Sequence, residues 1–292
     1  MGLGKKFLVC GGDLRQVEVA KMLSGYGYSV GAYGFSQDVN IKPSVKIFDE
    51  LNEALDFADI IILPLPCSAD NKNVNMPMTN KKLSFAYLFK QIKDEKIVVA
   101  GNVSSEIADF AQQSNVYILD YYNREELKIL NAIPTVEGAI QIAMEETAHT
   151  IHSSKCMVTG YGRIGKLLSH SLKSLGADVT VSARTLADLA WIKANGYTAV
   201  QTSHIDSLIY SQDVIFNTVP TVIFDKKTLG RVSKDSLIID LASKPGGVDL
   251  DAASQLGIRT IWALSLPGKV APLTAGRIIT DTIINIMKEL GV

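Results

Sequence analysis

The chain has 292 residues, too long for one typical domain and suited to about two at roughly 150 residues each. Apolar residues make up 47% and charged residues 20%, with 29 Lys and Arg against 30 Asp and Glu; nothing in so even a balance recommends nucleic acid, and no nucleic-acid partner is expected. No apolar run approaches the roughly 20 residues of a membrane span, and KKFLVCGG is too short and too soon followed by Gly-Gly-Asp for a signal peptide; a cytoplasmic protein with no membrane partner is expected.

Short β-branched runs alternate with amphipathic stretches along the whole chain, the rhythm of parallel sheets covered on both faces. In the first half the spacing predicts strands over 6–12, 28–34, 59–65, 96–101 and 116–121. A long helix is then predicted over 133–154, opened by Pro134 and capped by Thr135, with Ile140, Ala143, Met144 and Thr147 recurring at helical spacing. Further strands are predicted over 155–160, 178–183, 198–201, 213–219, 237–242 and 259–264, and a last amphipathic helix over 274–290. Cys10, Cys67 and Cys156 show no metal-ligand spacing and read as reduced packing residues; no metal is expected.

The fold class expected is α/β: two doubly wound parallel-sheet domains of Rossmann-like form, joined by long helices, with a cleft between them. We place a substrate domain of Rossmann-like or flavodoxin-like form at 1–133, with the last helix, 273–292, packing back on it, and a dinucleotide-binding domain at 134–272.

GYGRIG, residues 160–165, directly follows an apolar run and opens a helical pattern, the setting in which this fingerprint carries meaning. Gly160 allows a sharp turn, Gly162 lets backbone N–H groups approach a pyrophosphate at the positive helix end, and Gly165 lets the helix pack on the strand; Tyr161, Arg163 and Ile164 complete the loop. Tyr161 is a bulky choice there. An NAD site usually ends its second strand in an acid, whose place is taken by Ser182. A carboxylate would repel a 2′-phosphate, whereas Arg184 offers it a guanidinium fork, and Ser182 and Thr185 offer hydroxyls. The cofactor expected is therefore NADP. The alternative reading of Arg184 is a residue that points into solvent.

The first half has GGDLRQ at the corresponding place, without the third glycine, a ribose carboxylate or a clear phosphate cation, and reads as a substrate domain. Arg15 is either a grip for a substrate carboxylate or a lone surface arginine. Asn102 and Ser104 are candidate substrate contacts and equally candidate helix caps. In the second half Asn217, Thr218, Val219 and Pro220 are expected around the nicotinamide ribose, and Lys244 and Lys269 on Pro-Gly loops that hold a cation near the cleft. Glu137 is a candidate base, explained as well by a carboxylate in a first helical turn. No histidine follows His204, so the imidazole base that hydroxy-acid dehydrogenases of this shape need is absent.

Together GGDLRQ, IPTVEG (133–138), GYGRIG with SART, NTVP, DLASKPGG and LPGKVAPLTAG resemble the dipicolinate synthase A-subunit family over essentially the whole chain. The resemblance implies an NADP-dependent oxidoreductase that converts 4-hydroxy-tetrahydrodipicolinate, a small dicarboxylate, to dipicolinate by dehydration and oxidation. It further implies a partner, the flavoprotein-like B subunit of the same synthase, in the mother cell of a sporulating bacterium; a homo-oligomer is also expected. Arg15, Lys244 and Lys269 would then orient a ring bearing two carboxylates. Two other readings remain open: another NAD(P)-dependent dehydrogenase of amino or hydroxy acids, and a nucleotide-binding subunit without chemistry of its own in a flavoprotein complex.

Overall fold

A computed structural model of the chain describes residues 4–36, 39–41, 43–93 and 95–292. Two compact units divide it: one runs to Asn131 and takes in Ala271–Val292, and the other is Ala132–Val270.

In the first unit the elements are β1 (Lys6–Cys10), α1 (Leu14–Gly25), β2 (Ser29–Tyr33), β3 (Lys46–Phe48), α2 (Leu51–Phe57), β4 (Ile60–Ile62), α3 (Phe85–Gln91), β5 (Ile97–Ala100), α4 (Ser105–Gln113) and β6 (Tyr117–Asp120). Helix α5 (Glu125–Glu146) runs from this unit into the next. The second unit continues with β7 (Lys155–Thr159), α6 (Arg163–Ser174), β8 (Asp178–Ala183), α7 (Leu186–Ala194), β9 (Thr198–Gln201), β10 (Val214–Asn217), α8 (Lys226–Leu229), β11 (Leu237–Asp240), α9 (Leu250–Leu256), β12 (Arg259–Trp262) and α10 (Leu266–Val270). Helix α11 (Pro272–Leu290) belongs to the first unit again and packs on α1, where Gly276 permits backbone approach: a Cβ there would lie 2.7 Å from the Arg15 carbonyl oxygen.

Both sheets are parallel and six-stranded, in the orders β3-β2-β1-β4-β5-β6 and β12-β11-β10-β7-β8-β9. These are the same doubly wound order, with direction reversing between β1 and β4 in one and between β7 and β10 in the other. Alternate residues of each strand enter different cores, as strands buried on both faces must. Leu8, Cys10, Ile61 and Val98 face one core and Phe7, Val9, Ile60 and Val99 the other; in the second unit Cys156, Val158 and Phe216 separate in the same way from Met157, Ile215 and Ile238.

Three sequence expectations are corrected here. The long helix begins at Glu125, with Glu125 and Glu126 in its first turn, and Pro134 lies inside it. Glu137 is therefore the thirteenth helical residue, beyond the reach of the helix N-terminal dipole. Lys269 sits in the last turn of α10, whereas a loop was expected. Strand β3, three residues paired with β2 at the sheet edge, was not anticipated. All three cysteines are buried and free. Among the described residues no helix is long and apolar enough to cross a membrane, and no group of His, Cys, Asp or Glu could hold a metal ion.

Candidate functional site

The turn after β7 has the form a dinucleotide needs. Gly160 adopts φ 94° and donates its N–H to the Ser182 carbonyl at 3.0 Å, binding the turn to β8. A Cβ at Gly165 would stand 2.1 Å from the Gly160 carbonyl oxygen, so only glycine lets α6 start this close to the strand. Gly162 is the N-cap of α6 and supplies no side-chain cap; a Cβ built on it would meet nothing within 4 Å. Open space thus stands over a helix N-terminus with no side-chain acceptor at its cap, which suits an anion. The residues present fit the pyrophosphate of a dinucleotide.

The corresponding turn of the first unit is closed. Asp13 is the N-cap of α1, and its carboxylate accepts the N–H of Arg15. The Gly12 N–H donates to the Asn75 carbonyl at 2.9 Å, and a Cβ at Gly11 would strike the Met76 side chain at 2.5 Å. The segment after β4 therefore lies over the turn, and a carboxylate of the chain itself occupies the helix end. Arg15 is not a surface residue: it is 7% exposed, its Nε and Nη2 hold Asp13, and Nη2 also donates to the Leu65 carbonyl. Of the other candidates in this unit, Ser104 caps α4, its hydroxyl accepting from Ile107 N–H. Asn102 is exposed at φ 60°, with its N–H on Asp120.

Around the open turn the loop after β10 packs under Gly160. Thr218 donates its hydroxyl to the Thr159 carbonyl at 2.8 Å, and both Thr218 and Val219 lie within contact of a Cβ built on Gly160; Pro220 is exposed. Asn217 is fully buried and links three strands: its Oδ1 accepts from the Thr159 hydroxyl at 2.7 Å, and its Nδ2 donates to Asp240 at 2.7 Å and to the Val219 carbonyl at 3.0 Å. Tyr161 is half-buried, its ring under Lys166 and its hydroxyl accepting from Asn195; burial, then the nearby Tyr197 and Asp188, push its phenol above the ordinary range. Arg163 and Ile164 open α6.

At the end of β8 Ser182 is wholly buried, within 3.5 Å of the Thr202 hydroxyl. Arg184 is exposed and forms no ion pair with a described residue. Thr185 is the N-cap of α7: it accepts the Asp188 N–H at 3.1 Å and donates its hydroxyl to the Asp188 carboxylate at 2.7 Å. Lys244 is exposed on the loop after β11, and Lys269 exposed on α10. Glu137 borders a groove with His170, Ser174 and Leu175, seven to twelve residues past the start of α6.

The model of the dipicolinate synthase A-subunit N-terminal domain matches residues 6–122, and that of the D-isomer specific 2-hydroxyacid dehydrogenase NAD binding domain matches 134–252. The dipicolinate synthase A subunit of Bacillus subtilis (strain 168) is 32% identical over 294 residues, 98% of this chain and 97% of that protein. The chain belongs to the dipicolinate synthase A-subunit family. Solved structures agree with that membership. The A-subunit structure from Bacillus halodurans superposes with a TM-score of 0.90 at 30% identity, covering 97% of this chain and 98% of that one. The corresponding structure from Bacillus subtilis gives 0.87 at 30% identity, covering 99% and 97%. The open turn thus belongs to a family member's dehydrogenase-type, nicotinamide dinucleotide-binding domain.

Missed from the sequence were Asp240, Asp13 and the cover that Asn75 and Met76 place on the first turn. Asp13 carried a local signal, an acid one residue before a helix. Asn75 and Met76 did not, since the glycines they cover lie far back along the chain, and Asp240 did not, since its burial depends on Asn217 and on the following loop folding Gly247 back onto it.

Proposed function

We propose that the chain is the NADP-dependent oxidoreductase component of a two-component dipicolinate synthase, acting on 4-hydroxy-tetrahydrodipicolinate together with a flavoprotein-like B subunit. Its setting is the cytoplasm of the mother cell of a sporulating bacterium. The observation that carries the reading is the contrast of the two turns within a whole-chain match to the family: one helix end capped by Asp13 and covered by Asn75, the other open at Gly162.

When bound, the nicotinamide supplies a hydride acceptor. The chain's own residues do the rest. The backbone of Gly160 to Gly165 receives the pyrophosphate at the positive end of α6. Arg184, exposed and without an ion pair to any described residue, binds the 2′-phosphate, with Thr185 beside it. Ser182, buried, acts by keeping a carboxylate out of that place. Thr218, Val219 and Pro220 shape the nicotinamide side, and Asn217 braces them from beneath. Lys244 and Lys269, both exposed and both without a carboxylate partner among the described residues, are assigned to the two carboxylates of the substrate. In the first unit Arg15 is neutralised by Asp13 and Ser104 is used as a cap, so of the earlier candidates there Asn102 is kept for substrate. Glu137, beside the second half of α6, is assigned no proton.

Loss of water from the ring, then of a hydride and a proton, leaves an aromatic product. Aromatisation asks less of a protein base than oxidation of a simple alcohol, which accords with the absence of a histidine after His204. The match to an NAD binding domain of hydroxy-acid dehydrogenases favours one second reading, NAD with a hydroxy acid. Purified chain with NADP or NAD, with and without 4-hydroxy-tetrahydrodipicolinate, separates them by absorbance of the reduced cofactor. Reduction of NADP that requires that substrate supports the proposal. Reduction with hydroxy acids alone supports the second reading, and reduction only when the flavoprotein-like partner is added moves the redox step to the flavin.

A further inference from the structure

Among the described residues two charged side chains are buried, Arg15 and Asp240. Arg15 has an acid of its own, since Asp13 pairs with it at 2.8 Å. Asp240 is paired with no cation among the described residues. It ends β11 with 1% of its surface exposed. Its Oδ1 accepts from Asn217 Nδ2 at 2.7 Å and from the Ala242 N–H at 3.0 Å, and its Oδ2 accepts from the Gly247 N–H at 2.8 Å. A Cβ at Gly246 would lie 3.0 Å from Oδ2 and 3.2 Å from the Trp262 ring, so the turn and the indole cover the carboxylate.

All three donors are neutral. They satisfy the oxygens of a carboxylate and leave its charge uncompensated, in surroundings where an uncompensated charge is costly and its field reaches far. The three N–H donors call for an acceptor at both oxygens, which a carboxylate supplies and an amide of the same outline does not. The negative charge that comes with it is paired with no cation among the described residues, and its field is left to act on whatever binds at this edge of the sheet. Asp240 lies at the carboxyl end of a parallel strand beside β10, one strand from the reversal of strand order, the edge where such sheets bind ligands.

Resting on the reading of this unit as nicotinamide-binding, we infer that Asp240 is the electrostatic counterpart of the oxidised nicotinamide ring. That ring is cationic before it accepts a hydride and neutral afterwards, so a buried negative charge near it favours the oxidised cofactor. Asp240 is then a determinant of which redox state the chain holds, acting through the field and touching only protein groups.

The test measures dissociation constants of the full chain for NADP⁺ and NADPH, and for NAD⁺ and NADH, by calorimetry or by the fluorescence of Trp262, whose Nε1 donates to the Ala242 carbonyl. Ring-less 2′-phospho-ADP-ribose and ADP-ribose serve as controls. In Asp240→Asn the oxidised form of the tighter dinucleotide is expected to lose about tenfold in affinity, while the reduced form and the ring-less probe stay within about twofold. Equal weakening of oxidised and reduced forms would make Asp240 a brace of the loop and overturn the inference. Should that variant not fold, Asp240→Ser offers the same comparison with a smaller side chain; if neither folds, the wild-type chain decides, and binding the reduced form as tightly as the oxidised one overturns the inference. If the wild type binds the ring-less probes but shows no sensitivity to the ring's redox state, the cofactor reading stands without the inference. If it binds no dinucleotide and no ring-less probe, both fall.

Discussion

Arg184→Ala tests cofactor choice most directly. The side chain is exposed and has no protein partner among the described residues, so its removal leaves no buried group orphaned and the fold is expected to be unchanged. Exposure also sets the magnitude. Two unit charges 4 Å apart interact by about 1 kcal/mol in water and about 4 kcal/mol at an effective dielectric near 20. A 2′-phosphate carries roughly −1.5 to −2 charges, which raises the attraction. The Asp188 carboxylate, held 2.7 Å from the Thr185 hydroxyl, opposes it. A net loss of about 2 kcal/mol follows, a factor of roughly thirty in the dissociation constant for NADP. NAD, with no phosphate to lose, should change by less than about twofold. Calorimetric titration of both dinucleotides at low and at physiological ionic strength reads this out, with the NADP effect shrinking as the screening length falls to about 8 Å. Parallel weakening of NAD and NADP, or an NADP affinity that does not move, would refute the assignment of Arg184 to the phosphate.

Removing the opposing charge should act in the other direction: Asp188→Asn is expected to tighten NADP about fivefold and to leave NAD alone, in the same titration. Gly165→Ala would set a methyl group 2.1 Å from the Gly160 carbonyl oxygen. Both dinucleotides should lose most of their affinity, and urea unfolding should show a loss of about 1–3 kcal/mol; an alanine variant that binds normally would remove the glycine turn from the site. Burial pushes the thiols of Cys10, Cys67 and Cys156 up to about 12 from an ordinary value of 9.0. Their protonated forms are favoured in the folded state, so their contribution is whole below pH 9 and is lost as pH rises towards 12. Urea midpoints should fall between pH 8.5 and pH 10.5, flanking the ordinary thiol value of about 9, and a flat profile would show that these thiols are not shielded as the structure has them.

Most of the fold could be read because its signals are local. Apolar runs located every strand except β3, whose three residues at a sheet edge leave Ile47 48% exposed and give no run to read. Pro134 misled because proline is most at home in a first helical turn; the actual start is marked by Glu125 and Glu126, acids that favour the positive end of a helix. The glycine turn was legible for the same reason as the strands, all its parts lying within one strand, turn and helix. Burial of Arg15 depends on the Leu65 carbonyl, fifty residues away, and burial of Asp240 on a loop that folds Gly247 back onto it. An acid that ends an apolar strand reads as a solvated boundary until the following loop closes over it.

The closed turn of the first unit amounts to a tethered ligand. Asp13 supplies the anion that a helix end attracts, and Met76, covalently part of the chain, stands where a Cβ on Gly11 would reach. Groups joined to their own site compete at an effective concentration on the order of millimolar or above, whatever the free pool contains. Two sheets of one strand order therefore differ in vacancy more than in architecture, and titration with dinucleotide is expected to saturate at about one equivalent per chain. Met76→Ala combined with Asp13→Ala would lower that internal competition, converting a self-occupied pocket into one that outside molecules can contest.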